Sequence, residues 1–182
     1  GHQIIFSSRQ WDPSPSRWRL HSIGPDGGAP QALLSVDAYS MAWSPDGEYI
    51  AYTLDDELYY IHVDSNNGQK LSAHVWLPSI SWSPDSSLIA FAYREPATDR
   101  RNLAVIELET GEMRQLTNNT GLTSNPTWSP DGEWIAFSSN FENVNSRTQI
   151  YKITPQGTDL QRLTNIECGA GMPSWSPNLS TD

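Results

Sequence analysis

A five-residue phrase, repeated at a nearly constant interval, constrains this chain more than any other feature. WSPDG stands at 43–47 and again at 128–132, WSPDS at 82–86 and WSPNL at 175–179, so the tryptophans are 39, 46 and 47 residues apart. A period of about 40–50 residues is that of propeller blades. The flanks repeat as well. After each turn comes a β-type run, YIAYT (49–53), LIAFA (88–92) and WIAFS (134–138). A further run follows at 59–63, 103–108 and 149–153, then a polar glycine-containing turn (DSNNG, ETG, PQG) and a closing segment, KLS, QLT or RLT. Each unit thus holds four short strands bounded by turn chemistry.

Three complete units run at about 38–72, 76–117 and 122–164, and the two ends are incomplete in complementary ways. GHQIIFSS at the start aligns with GEWIAFSS (132–139), and RLHSIGPDGGAPQALL (19–34) aligns with QIYKITPQGTDLQRLT (149–164). Residues 1–36 therefore hold strands two to four of a unit, and GMPSWSP (171–177) supplies a first strand. The expected fold is all-β: one domain over 1–182, a β-propeller of four-stranded antiparallel blades whose fourth repeat is split between 165–182 and 1–36. Pairing the C-terminal strand with the N-terminal blade would close a four-bladed ring and remove its open sheet edges. The alternative is an arc of a larger propeller.

The phrase itself reads as structure. Ser-Pro-Asp-Gly fits a type I turn, with proline's φ preset at the second position and glycine taking the awkward backbone at the fourth. The bulky tryptophan before it is expected to pack between neighbouring blades. Asp46, Asp85 and Asp131 are accordingly read as turn formers, not as metal ligands or catalytic carboxylates. The fourth copy carries Asn178, and copies on separate blades lie far apart.

Composition narrows the function classes. Eleven Lys and Arg stand against 21 Asp and Glu, a formal charge of −10, which repels phosphate backbones and argues against a nucleic-acid partner. Cys168 is the single cysteine; it makes no intramolecular disulfide and is read as a small buried residue. No apolar run approaches the ~20 residues that cross a bilayer, no signal peptide is visible, and Gly1-His2 reads as a tag-cleavage scar. The four histidines (His2, His21, His62, His74) lack metal-ligand spacing. DSNNG resembles the start of a calcium loop, but Val75 occupies the position that needs Glu. There is no G-x-S-x-G elbow and no phosphate loop. No catalytic residue, metal or cofactor is expected, and no carboxylate pair for glycoside hydrolysis is singled out.

Loop lengths are asymmetric. The SPDG turns and the turns between strands three and four are short. The connections on the opposite face are longer and mutually unlike: 7–17, 94–101 and 139–148 within units, and 36–40, 72–78, 118–125 and 165–172 between them. Variable loops on a rigid scaffold are where binding usually resides. That face carries the expected partner-binding residues Arg9, Trp11, Tyr39, His74, Trp76, Arg94, Arg100, Arg101 and Phe141, since aromatic and Arg side chains are the common interface anchors. The competing reading makes Trp11 and Trp76 packing caps on the blades.

W-S-P-D-G followed by I-A-F, then an I-Y-type strand and L-T, resembles the TolB-like β-propeller repeat family, which also includes propeller domains of prolyl-oligopeptidase relatives. The resemblance covers nearly all of the chain. It implies a bacterial, periplasmic or extracellular module that binds a protein or peptide partner without catalysis, either as a monomer or as a self-associating half-ring. Two other expectations stand beside it: an enzyme acting on polysaccharide in the central channel, and a fragment whose function needs further blades. Neither nucleic acid nor membrane insertion is expected.

Overall fold

The computed structural model describes residues 3–8, 18–34, 38, 40–65, 67–118, 121–141 and 147–177, all strand, turn and loop with no helix. Four antiparallel sheets follow one another along the chain, and within each the strands lie in chain order. The first holds β1 (Ile4–Ser8), β2 (Arg19–Ile23) and β3 (Gln31–Leu34). The second holds β4 (Met41–Trp43), β5 (Tyr49–Leu54), β6 (Glu57–His62) and β7 (Gln69–Ala73). The third is β8 (Val75–Trp82), β9 (Leu88–Arg94), β10 (Arg101–Glu107) and β11 (Met113–Gln115). The fourth is β12 (Thr123–Trp128), β13 (Ile135–Ser139), β14 (Gln149–Ile153) and β15 (Gln161–Arg162).

Strand register is the same in every sheet. The first isoleucine of the second strand faces an isoleucine of the third, in the pairs Ile4–Ile23, Ile50–Ile61, Ile89–Ile106 and Ile135–Ile153. Apolar residues of adjacent sheets meet in three clusters. One joins Leu20 to Ile50 and Tyr52, a second joins Ala51 and Leu58 to Trp82 and Phe91, and a third joins Leu103 and Leu116 to Trp128 and Phe137. The core is therefore spread between blades. Burying one such Ile or Phe side chain stabilises by about 1.5–3 kcal/mol.

The phrase tryptophans stitch these clusters together. Trp82 Nε1 donates to the carbonyl of Ala42 (3.0 Å), Trp128 Nε1 to that of Ser81 (3.1 Å) and Trp175 Nε1 to that of Thr127 (3.0 Å). In each case the acceptor is the residue just before the tryptophan of the preceding copy. The expected packing between blades is present, with a directional bond added to it.

The turns are built as their sequence implies. Ser44 Oγ donates to Asp46 Oδ1 and Ser83 Oγ to Asp85 Oδ1, both at 2.5 Å, and Ser129 does the same with Asp131. Each serine oxygen also accepts a backbone N–H from the start of the next strand, from Tyr49, Leu88 and Trp134 at 2.9 Å. Gly47 and Gly132 take φ of 79° and 74°, and Ser86 adopts the same left-handed backbone at 63°. The closing LT segments have a related role. Thr117 Oγ1 accepts the N–H of Leu103, and Thr164 Oγ1 that of Ile150, both at 2.9 Å. A hydroxyl thus takes over where the fourth strand stops.

The ends differ from the expectation of a closed ring. Among the described residues β1 pairs only with β2, and 171–177 form no strand. Trp175 is seated against β12, and no pairing joins its segment to β1. Ile4 is 54% exposed, whereas Ile50, Ile89 and Ile135 are at 0%. Cys168 is exposed, not buried, because it lies in the loop after β15, beyond which no further sheet is described.

Two predictions follow from these bonds. Trp128→Phe removes the indole donor to the Ser81 carbonyl together with part of the ring that fills the gap between sheets, and should cost about 1–3 kcal/mol in denaturant unfolding. The three turn carboxylates also sit below their ordinary value of 3.8. Burial pushes Asp46 up, but the Ser44 hydroxyl, the Glu48 N–H and the Ser86 hydroxyl together outweigh it. The Ser83 and Ser129 hydroxyls are the main causes at Asp85 and Asp131. A pKa lowered by folding adds stability that is complete above the unfolded value and is lost as pH falls through the folded one. Stability should therefore drop below about pH 4, and the triple variant D46N/D85N/D131N should flatten that limb of the profile.

Candidate functional site

The long-loop face of the third sheet gathers four of the residues expected there. His74 links β7 to β8 with φ of 64°, and its carbonyl accepts the N–H of Arg94 at 2.7 Å. The N–H of Val75 donates to the Asp56 carbonyl at 2.8 Å, which anchors the start of β8 to the second sheet. Trp76 follows on β8, half-buried. The Arg101 guanidinium lies 3.4 Å from its ring centroid, and that of Arg94 lies 5.5 Å away. Two cations therefore share one indole, the most favourable aromatic face for a cation.

Strand pairing explains the meeting. Arg94 ends β9 and Arg101 begins β10 directly opposite it. The loop between them is closed by Glu95 N–H to Arg100 O and Asp99 N–H to Glu95 O, both 2.9 Å. The two guanidiniums are not equivalent. Arg94 Nε is bonded to Asp99, whereas Arg101 Nε is buried with no hydrogen-bond partner. Beside the cluster, Glu57 pairs with Lys70 and accepts the Tyr59 hydroxyl at 2.7 Å. The Lys70 and Tyr59 bonds hold the Glu57 carboxyl below its usual range, with a smaller contribution from nearby His74. This acidic chain thus presents a local aromatic and cationic patch, suited to carboxylate or aromatic groups of a partner.

The remaining expected residues are placed differently. Arg100 is exposed; its backbone closes the loop, donating to Thr98 Oγ1 at 3.3 Å. Phe141 meets the Tyr151 ring at a tilt of 36° with centroids 4.8 Å apart and packs against the cluster between the third and fourth sheets. Its backbone lies so close to Gly121 that a Cβ there would sit 2.5 Å from the Phe141 Cα. Arg9, Trp11 and Tyr39 lie outside the described residues. Among the described residues no group of three His, Cys, Asp or Glu is placed to hold a metal ion.

A concavity lies on the other face, where the SPDG turns are. A cleft of about 710 Å³ opens between the first and second sheets, lined by Gln3, Ser22, Leu33, Trp43, Pro45 and Asp46.

Four-stranded sheets in sequence, joined through repeated Trp-Ser-Pro strands, define a β-propeller of repeated blades. The chain belongs to the TolB β-propeller domain family, whose model matches residues 2–181. An uncharacterized peptidase, YuxL, of Bacillus subtilis is 28% identical over 112 residues, covering 59% of this chain and 17% of that protein. The Tol-Pal system protein TolB of Francisella tularensis is 31% identical over 84 residues, covering 46% of this chain and 19% of the relative. The chain thus spans under a fifth of either relative's length. Among solved structures, a TolB-type protein from Agrobacterium tumefaciens superposes with a TM-score of 0.78 at 20% identity, over 97% of this chain and 63% of that one. An oligogalacturonate lyase in complex with manganese superposes with a TM-score of 0.69 at 15% identity, over 88% and 49%. Likeness at these identities shows the fold, and the fold hosts unrelated activities.

The stacked patch makes its own prediction. Arg101→Ala should lower stability by about 0.5–2 kcal/mol, the range for a cation on an indole. Arg100→Ala, one residue away and exposed, should stay within about 0.5 kcal/mol of the parent. Parallel denaturation curves check both.

Proposed function

We propose that the chain is a non-catalytic binding module that grips a protein or peptide partner on its long-loop face, centred on Trp76, Arg94 and Arg101. The observation that carries this reading is the double stack on Trp76 with the Arg101 Nε left unpaired. A buried donor without a partner costs free energy, and a ligand acceptor would recover it. The preferred partner segment is acidic with an aromatic residue: its carboxylate would meet Arg101 and its ring would extend the stack. His74 and Arg100 widen the proposed surface. Membership of a family that includes a Tol-Pal system protein supports a protein partner and a periplasmic setting.

The test is direct. A peptide array graded in acidic and aromatic content should be bound by the parent protein, with preference for the acidic aromatic members. W76A/R101A, verified as folded by circular dichroism, should lose about tenfold or more in affinity, as hot-spot truncations do. Equal binding by parent and variant, or preference for basic peptides, overturns the proposal.

A further inference from the structure

Asp or Asn precedes glycine at four places in the chain, 26–27, 46–47, 67–68 and 131–132. Such a step is chemically weak. A glycine has no side chain to hinder its backbone nitrogen from closing on the carbonyl carbon of the side chain before it. The attack needs a glycine N–H that can give up its proton and swing towards that carbon. At three of the steps the turn holds it back. Gly27 N–H donates to the Gly24 carbonyl at 3.0 Å, Gly47 N–H to that of Ser44 at 2.9 Å and Gly132 N–H to that of Ser129 at 2.9 Å. Two of these turns are tied again through the acid itself. Asp46 Oδ1 and Asp131 Oδ1 each accept a serine hydroxyl and the backbone N–H two residues on.

The step at 67–68 is built differently. Asn67 is exposed, and its backbone N–H donates to Ser65 Oγ at 3.2 Å. Among the described residues neither the Asn67 side chain nor the Gly68 N–H has a hydrogen-bond partner. Asn67 is also the one carboxamide of the four, able to expel ammonia; the other three side chains are carboxylates, whose charge repels a nucleophile. Gly68 is not present for its backbone, since it lacks the positive φ of Gly27, Gly47 and Gly132. It is present for space, because a Cβ there would overlap the Tyr52 hydroxyl. Tyr52 in turn is buried in the cluster between the first and second sheets. Core packing therefore keeps a reactive step on the surface.

We propose that Asn67 is a modification site, at which the folded protein converts its own side-chain amide to aspartyl and isoaspartyl without an enzyme. The Gly68 N–H gives its proton to solvent base, and its nitrogen bonds to Asn67 Cγ. The bond from Cγ to the side-chain nitrogen breaks, ammonia leaves with a proton, and a cyclic succinimide remains. Water then opens the ring. Addition at Cγ leaves aspartyl; addition at the main-chain carbonyl leaves isoaspartyl, whose main chain is longer by one methylene. Either product adds a negative charge, and only the longer one shifts Gly68 from its seat against Tyr52. Gly68 leads directly into β7, where Gln69 pairs with Tyr60, Lys70 pairs with Tyr59 and the Lys70 ammonium holds Glu57. The isoaspartyl form therefore loosens the start of this outer strand.

Peptide mapping by mass spectrometry tests the site, scoring deamidated and isoaspartyl peptides after storage at mildly alkaline pH in native buffer and in urea. Conversion at 67 in native buffer should stay within about threefold of its rate in urea, while at 26, 46 and 131 it should fall about tenfold or more, since turn bonds must open first. Asn67→Ser should remove the product at 67 under both conditions. Protection at 67 as strong as at the other three steps overturns the proposal, and so does an unmodified Asn67 in native buffer. Hydrogen exchange tests the consequence. The purified isoaspartyl form should exchange β7 amides faster than the parent, whereas Asn67→Asp, which has the charge without the methylene, should match the parent. Equal protection of β7 in all three overturns the loosening.

Discussion

The structure depends on the indole N–H of the phrase tryptophan. A sheet that packs face to face on another is held by area alone and can slide. Here the second–third and third–fourth interfaces also carry a donor that must find an acceptor once it is buried, and the acceptor is a single carbonyl of the preceding blade. That fixes the stagger of those three sheets, and with it which loops lie together at either rim. Tryptophan is the side chain that fills the gap between sheets and also carries such a donor. The spacing of the copies can drift between 39 and 47 residues because the extra length falls in loops, where it leaves the stitch undisturbed.

The rest of the phrase serves the same purpose at shorter range. The serine and aspartate satisfy one another and the N–H groups that open the next strand, which locks the turn at the base of each stitch. Asp46 extends the network sideways, its own N–H donating to Ser86 Oγ of the next turn at 3.1 Å. Once Trp, Ser, Asp and Gly are all accounted for by structure, the most repeated part of the sequence is the part least informative about function. The unrepeated loops then carry the discriminating chemistry, and the Trp76 patch lies among them.

What was legible in the sequence was what is local. β-type runs such as YIAYT and LIAFA, the turn at SPDG and the closing LT segments each encode their own geometry within a few residues. The long-loop face was legible only in part: 95–100 is a loop, but β5 meets β6 through Asp55 and Asp56 alone, and the connection expected at 72–78 is strand on either side of the single link His74. The stacking of Arg101 on Trp76 was not, since it requires knowing that β9 and β10 pair Arg94 with Arg101 and that β8 runs beside them. Phe141 looked like a surface aromatic and packs on Tyr151, because a loop aromatic near a core finds that core first. Closure was the least legible of all. It depends on the rotation from each sheet to the next, a small angle summed over the whole arc, and no short pattern of residues specifies it.

Stability in such an array is close to a sum of blade terms and nearest-neighbour terms. The third sheet has a neighbour on both sides, with Trp82 reaching back to Ala42 and Trp128 reaching in to Ser81. The Trp76 patch is built on this interior sheet, where local opening is costliest and side-chain positions are most firmly held. A binding surface gains most from that placement when it relies on stacked geometry, since a pre-ordered stack loses little entropy on meeting its partner.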